Sequence, residues 1–424
     1  MRVRGLSKIR TGGLRFAGFG SSMVVLAIGS LVLIPAMIRA DGLAAWGDIA
    51  LGQAVGTVAA VVVTLGWGVS GPVAIARGTS QERWDEYADS LRGRAVVVIP
   101  VLGAGAALSA ALAHTQAGLA ALGCVSAGSI GCRAAWYFIG AGRPSSLMVL
   151  ETVPRVLGIA AGIVAMAAGA GAAAGLGGQL AGVLVAVLLS TVWIRRSVGR
   201  GRRWRTDRRI GEILAEQRHG VFSSVLSSGY ASLPVVIIGA LGLPYLPAYA
   251  VVDKLQKQIF VASTPFMSVV QGWLPTGGSD RVRDRLGRVV LMTSVYSCVL
   301  TVVTIVAAPT LIEWLGAGTV EVGPVAIVLL GLIAGAAIAD ATLSRVVLVA
   351  VGQFATMTRS TAVGSVVGLL MVGLLGVTVG LEGALAGVLL GLAIRIAWAG
   401  FAIGRQRRRD ERNPAGSPSM ANGT

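Results

Sequence analysis

Long apolar runs separated by short polar segments dominate the pattern of this chain. Twelve runs have the roughly 18 to 25 apolar residues that a helix needs to cross a bilayer. They lie at 16–38, 49–75, 95–113, 117–141, 147–169, 172–194, 220–242, 246–273, 289–312, 324–350, 361–380 and 384–404. The pattern therefore predicts an all-α integral membrane protein with about twelve transmembrane helices.

The composition excludes an ordinary water-soluble enzyme. Of the 424 residues, 54% are hydrophobic and 13% are charged, whereas a soluble domain carries about 25% charged residues. The three cysteines lie inside apolar runs, and the two histidines lie far apart in the sequence. We therefore expect no metal site and no cofactor.

The basic residues follow the topology of these runs. Lys and Arg number 36 against 19 Asp and Glu, a net charge of +17. If the N-terminus is cytoplasmic, 29 of the 36 cations lie in inner segments and one, Arg39, lies in an outer loop. This asymmetry is the positive-inside rule. It predicts a multi-pass cell-membrane protein with both termini cytoplasmic, and it explains the positive charge without nucleic acid as a partner.

The longest inner loop, 195–219, separates six runs from six. It predicts an N-terminal six-helix lobe over 1–194, a C-terminal six-helix lobe over 220–404, and a disordered basic tail over 405–424. Within the loop, apolar residues recur at helical spacing at Ile210, Ile213 and Leu214. This spacing predicts a short amphipathic helix on the inner membrane face, with a solvated linker helix as the alternative.

Ionisable residues inside membrane spans are costly and are therefore functional candidates. Nine are found here: Arg133, Glu151, Arg155, Asp253, Lys254, Lys257, Asp340, Arg345 and Arg395. Two acid–base pairs have the favourable i,i+4 order on one helix, Glu151 with Arg155 and Asp253 with Lys257. Each pair could serve ion coupling or be purely structural.

The other charged groups in the spans lack such a partner. Asp340 and Arg345 are five residues apart, and Arg345 lies close enough to the inner end to snorkel. Arg133 and Arg395 have no acid within four residues, and Lys254 has only its neighbour Asp253, on another face. This surplus of positive charge suits a phosphate or diphosphate ligand.

Two alternatives stay open at these positions. A cross-helix carboxylate, Asp48 or Asp340, could neutralise the deep arginines instead of a ligand. The consecutive aromatic residues Trp136, Tyr137 and Phe138 are typical of an interfacial aromatic belt, and stacking on a sugar is the sharper interpretation.

Three segments resemble the Wzx-type O-antigen and oligosaccharide flippases. AAWYFIGAGRPSSLMVLETVPRVLGI (134–159) is similar to that family's fourth-to-fifth-span region, and LPAYAVVDKLQKQIFVASTPFMSVVQGWLP (246–275) to its eighth span. APTLIEWLGAGTVEVGPVAIVLL (308–330) resembles the segment after the ninth span more weakly. The order of the three motifs on twelve spans carries the resemblance.

The resemblance implies membership of the multidrug/oligosaccharidyl-lipid/polysaccharide superfamily. Its fold has two six-helix lobes around a central, cation-lined cavity that alternates between inward- and outward-open states. Arg155 matches the arginine of the fifth span, and Asp253 with Lys254 matches the acid–lysine pair of the eighth. Two positions depart from the family pattern: Ile139 replaces a common glutamine, and Val252 replaces a usual small residue. The resemblance therefore does not identify the substrate.

The resulting hypothesis is a flippase for a polyprenyl-diphosphate-linked oligosaccharide, moved from the inner to the outer leaflet for surface polysaccharide assembly. Arg133, Arg155, Lys254 and Arg395 would attract the diphosphate and sugar. Asp253, Lys257, Asp340, Arg345 and Glu151 would serve ion coupling or pairing. Glycosyltransferases or a polysaccharide polymerase are the expected protein partners, and the protein is expected to be embedded in the lipid bilayer.

Two alternatives remain. A drug/cation antiporter of the same superfamily would want a carboxylate in the first span, and residues 16–38 contain none. A membrane-embedded polysaccharide polymerase or glycosyltransferase would want a large outer loop with paired carboxylates. Since most outer loops are a few residues long, we expect a transporter rather than an enzyme.

Overall fold

A computed structural model describes residues 2–198, 208–274, 279–350 and 352–412, and the side chains of most of them. The described residues contain no β-strand, so the all-α prediction is confirmed. In chain order the helices are α1 Arg2–Thr64, α2 Trp67–Arg77, α3 Ser80–Leu112, α4 Ala117–Gly128, α5 Ala135–Gly140, α6 Pro144–Leu147, α7 Val153–Ala167, α8 Ala172–Val198, α9 Ile210–Ala240, α10 Leu246–Ala262, α11 Thr264–Trp273, α12 Ser279–Leu315, α13 Pro324–Thr342, α14 Leu348–Ala350, α15 Phe354–Val379 and α16 Leu381–Arg412.

Most of the predicted spans fall on helices that are long and apolar enough to cross a membrane. Among the described residues, nine such segments are found. One of them, Val24–Arg77, contains the second predicted run and the first from residue 24 onward. The runs at 220–242 and 246–273 are not among the nine, and the second of these is divided between α10 and α11. The chain is a multi-pass membrane protein.

Backbone irregularities separate or interrupt several spans. Gly42, with φ of 88°, kinks α1 between the first two predicted runs, a conformation that glycine adopts at no steric cost. A 3₁₀ turn, Ser129–Cys132, follows α4, and π-turns occupy Met148–Thr152 and Leu343–Val347. Turns of the π type are frequent at functional sites, and two of the predicted site residues, Glu151 and Arg345, lie in them.

The helices form two compact units. The first comprises residues 1–254 and 312–321, and the second comprises 255–311 and 322–424. In the first unit, α1 packs against α3, α4, α7 and α9, and α7 packs against α8. In the second unit, α16 packs against both α13 and α15. The six-plus-six division of the lobes stays a prediction.

Glycines allow close helix contact inside each unit. A Cβ at Gly158 of α7 would lie 2.3 Å from the carbonyl oxygen of Gly178 in α8. Likewise, a Cβ at Gly368 of α15 would lie 3.0 Å from the Cα of Gly391 in α16. Because no side chain larger than hydrogen fits there, these helix pairs pack backbone to backbone.

The start of α9 differs from the amphipathic surface helix predicted for the inner loop. Ile210, Ile213 and Leu214 lie in the first turns of α9, which continues to Ala240. Ile213 is buried in the aromatic core of the first unit rather than turned toward lipid. The apolar spacing therefore reflects core packing.

Arg208, just before α9, ties this point of the chain to its neighbours. It forms ion pairs with Asp89 of α3 and with Glu216 of α9. The hydrogen bond from its guanidinium to Glu216 raises the pKa of Arg208. Residues 199–207 of the predicted linker lie outside the described residues.

The C-terminal segment is more ordered than its composition predicts. Helix α16 continues to Arg412, so the first part of the tail predicted as disordered is helical. Residues 413–424 lie outside the described residues.

Candidate functional site

Arg133 and Glu151 form the centre of the polar group in the first unit. Arg133 follows the 3₁₀ turn with an extended backbone, φ −69° and ψ 156°, so the helix breaks there. Its Nε lies 2.9 Å from Oε2 of Glu151, whose side chain is 1% exposed against 21% for Arg133. The other carboxylate oxygen accepts hydrogen bonds from the Ala134 amide at 2.8 Å and the Ser190 hydroxyl at 3.3 Å. Both carboxylate oxygens of Glu151 therefore have partners within the protein.

This geometry corrects two expectations. Arg133 has a carboxylate partner, which the sequence could not show because the partner lies eighteen positions away on another helix segment. Glu151 bonds to Arg133 and not to Arg155, although Arg155 has the i,i+4 spacing. The π-turn at Met148–Thr152 changes the helical register between Glu151 and the residues after it, so the expected pairing geometry does not apply.

Arg155 is the cation left over in this group. It is half-buried in α7 and lies within electrostatic range of both Arg133 and Glu151. Among the described residues it has no hydrogen-bond or ion-pair partner. Two arginines and one carboxylate leave this group with one surplus positive charge.

A second buried ion pair lies in the second unit. Arg395 of α16 and Asp340 of α13 are 2.7 Å apart, with side chains 8% and 6% exposed. Asp340 also accepts a hydrogen bond from Ser344 at 3.2 Å. The open alternative of a cross-helix pair between Arg395 and Asp340 is therefore confirmed, and Arg395 is not a surplus cation. Arg345, in the adjacent π-turn, is exposed.

Asp48, the other carboxylate considered as a cross-helix partner, has a different role. It accepts hydrogen bonds from the backbone amides of His114, Thr115 and Gln116 at 3.0, 2.9 and 2.7 Å. The Thr115 hydroxyl adds a fourth at 2.6 Å. Asp48 thus fixes the turn between α3 and α4 and neutralises none of the deep arginines.

The acid–lysine motif of the eighth span lies on α10. Asp253 is buried, whereas Lys254 and Lys257 are half-buried. None of the three side chains is without a partner. Their roles in substrate binding and ion coupling stay predictions, as does the i,i+4 pairing of Asp253 with Lys257.

The aromatic triplet forms core rather than an interfacial belt. Trp136, Tyr137 and Phe138 are all at least 96% buried and belong to one cluster with Trp67 and Tyr87. Their rings contact one another edge to face, with centroids 6.2 and 5.8 Å apart. Faces that are buried in this way are not available to a sugar.

One charged residue was missed by the sequence analysis. Arg94 counts there as an inner-loop cation, but it lies in α3 and is 3% exposed. Its guanidinium lies 5.7 Å from the ring centroid of Trp67 and 5.8 Å from that of Trp136. Arg94 directly precedes the apolar run 95–113. Hydropathy alone does not distinguish a buried arginine at such a position from a solvated one.

The described residues contain no group of three or more His, Cys, Asp or Glu side chains that could hold a metal ion. The chemistry that this arrangement offers is electrostatic. Each unit holds one buried acid–arginine pair, and the first unit adds Arg155 and Arg94 without a carboxylate for either among the described ion pairs. Such a group favours an anion.

Comparisons with known proteins place the fold. No family model matches the chain, and no curated protein matches it. An inward-facing multidrug resistance MATE family transporter of the MOP superfamily matches with a TM-score of 0.63 at 15% identity, covering 93% of this chain and 99% of that one. A MATE protein in complex with MaL6 matches with a TM-score of 0.57 at 15% identity, covering 94% and 95%.

A eukaryotic MATE transporter, AtDTX14, is also similar, with a TM-score of 0.52 at 13% identity over 97% of this chain and 99% of that one. The coverage is nearly complete on both sides, so the likeness extends over almost the full length of both chains. At these identities it concerns the fold alone. The chain therefore has the fold of the MATE transporters of the MOP superfamily.

Proposed function

We propose that this protein is a membrane transporter that moves a polyprenyl-diphosphate-linked oligosaccharide from the inner to the outer leaflet. The observation that carries the proposal is Arg155, a half-buried guanidinium without a hydrogen-bond or ion-pair partner among the described residues. A diphosphate would supply the missing charge, and the planar guanidinium binds phosphate oxygens in pairs.

Two of the three predicted span carboxylates, Glu151 and Asp340, support an anionic rather than a cationic substrate. Glu151 and Asp340 are each bound to an arginine, so neither is a free negative charge for a cationic drug. The first predicted span, 16–38, contains no carboxylate. A drug/cation antiporter shares the fold and is the competing function that the experiment must separate.

Transport of a labelled lipid tests the proposal. The purified protein is reconstituted in liposomes with a fluorescent prenyl-diphosphate-linked sugar, and dithionite reduces the probe molecules that reach the outer leaflet. We expect the wild-type protein to make the inner-leaflet probe accessible, and Arg155→Gln to slow this several-fold. Arg143→Gln is the matched control, because Arg143 is an exposed arginine of the same unit.

A second arm uses a cationic dye. Liposomes with ethidium and a proton gradient report drug/cation antiport. Transport of ethidium together with no movement of the prenyl-diphosphate probe would replace the flippase by the antiporter. Movement of neutral phospholipids at the same rate as the probe would overturn the anion-based selectivity.

A further inference from the structure

Arg94 lies directly behind the helix break that carries Arg133. Where α4 ends in the 3₁₀ turn and the chain becomes extended, backbone groups lose their helical hydrogen-bond partners. The Nη1 of Arg94 donates to the carbonyl oxygens of Cys132 and Arg133, both at 3.1 Å. These two bonds compensate carbonyl groups that the break would otherwise leave unpaired in a buried region.

The break is held from its opposite side by Glu151. The Glu151 carboxylate accepts the hydrogen bond of the Ala134 amide and binds the Arg133 side chain. Arg94 therefore fixes the carbonyl groups of the break, and Glu151 fixes its amide group. The two residues bind the same peptide unit, between Arg133 and Ala134, from its carbonyl and its amide end.

The surroundings of Arg94 keep its guanidinium in one place. Its Cζ lies 5.7 Å from the ring centroid of Trp67 and 5.8 Å from that of Trp136. At these distances the ring quadrupole attracts a cation. Gly93, the residue before it, packs against Leu65 and Trp67. No carboxylate is within ion-pair distance of Arg94 among the described residues, so its positive charge adds to that of the group.

We infer that Arg94 is a positioning residue for the anion-binding site: it fixes the helix break so that Arg133 stays bound to Glu151 and Arg155 stays available to the ligand. This inference rests on the proposed function for its ligand. The coupling of Arg94 to Glu151 through the break does not depend on the proposed function.

Thermal unfolding of the full-length protein in detergent tests the coupling without any ligand. We expect the shift in melting temperature of the double variant Arg94→Gln/Glu151→Gln to be clearly smaller than the sum of the two single shifts, because both remove support from the same break. Arg94→Gln with Asp48→Asn is the control pair. Asp48 shares no partner with Arg94, so these shifts should add. Additive shifts for Arg94 and Glu151 would overturn the inference.

Ligand binding tests the positioning role, with farnesyl diphosphate and inorganic pyrophosphate as the probes. We expect Arg94→Gln to raise the dissociation constant of farnesyl diphosphate about tenfold, and Arg143→Gln to leave it unchanged. Arg94→Lys keeps the charge and can donate to both carbonyls, so it should recover most of the affinity. If pyrophosphate binds as tightly as farnesyl diphosphate, the site recognises free phosphate rather than a lipid headgroup.

The two measurements separate the inference from the proposed function. A wild-type protein that binds neither probe would contradict the diphosphate ligand, while the melting experiment would still decide the coupling. Unchanged farnesyl diphosphate affinity in Arg94→Gln, or equal losses in Arg94→Gln and Arg94→Lys, would overturn the positioning role.

Discussion

The Nε of Arg133 and the Oε2 of Glu151 are 2.9 Å apart across a break in the fourth predicted span. The pair uses the carboxylate that the sequence assigns to Arg155, and so it leaves Arg155 as the uncompensated cation. A rearranged pairing of this kind changes which arginine can bind a ligand. Of the predicted ligand-binding arginines Arg133 and Arg155, it leaves Arg155 without a carboxylate of its own.

Removing the Glu151 charge should lower stability. In Glu151→Gln, Arg133 loses its partner in a buried region, and breaking such a pair costs about 3 kcal/mol or more. The melting temperature in detergent measures the effect, with Glu313→Gln, an exposed carboxylate, as the control. Equal melting temperatures of Glu151→Gln and Glu313→Gln would contradict a stabilising role of the pair.

The spans could be predicted from sequence because hydropathy and the positive-inside rule are properties of whole segments. The breaks could not be predicted. The 3₁₀ turn before Arg133 and the π-turn around Glu151 leave no signal in composition, and they decide which charges meet. Arg395 and Asp340 illustrate the same limit, because their contact depends on how α13 packs against α16.

Replacing both residues of the Asp340–Arg395 pair should lower the stability much less than replacing Asp340 alone. Asp340→Ala leaves Arg395 without this partner and should cost about 3–5 kcal/mol, whereas Asp340→Leu with Arg395→Met should cost much less. Chemical or thermal unfolding in detergent compares the variants. A double variant as unstable as Asp340→Ala would mean that the pair is not the source of the loss.

Gly364 should tolerate no side chain, because it makes room for Arg395. A Cβ there would lie 2.3 Å from Cγ of Arg395 and 2.7 Å from the carbonyl oxygen of Gly391. Gly364→Ala should therefore push α15 from α16 and strain the ion pair, at a cost of about 1–3 kcal/mol. Gly400→Ala, with nothing within 4 Å of the added Cβ, is the control. Equal melting temperatures of the two variants would refute this packing role.

Asp48 should contribute to stability through the turn between α3 and α4. Asp48→Asn loses the negative charge that attracts three backbone amides and the Thr115 hydroxyl. Weakening hydrogen bonds to a charged acceptor costs about 1.5–3 kcal/mol. Hydrogen exchange at His114, Thr115 and Gln116 should accelerate in the variant. Unchanged protection of these amides would show that the carboxylate charge is dispensable.

The central claim is that Arg155 supplies the positive charge that selects a diphosphate headgroup. The most direct measurement compares the dissociation constants of farnesyl diphosphate and farnesol for the wild-type protein, Arg155→Gln and Arg143→Gln. We predict that the wild-type protein and Arg143→Gln prefer the diphosphate, and that Arg155→Gln loses most of this preference with farnesol binding unchanged. An equal preference for the diphosphate in all three proteins would contradict the account.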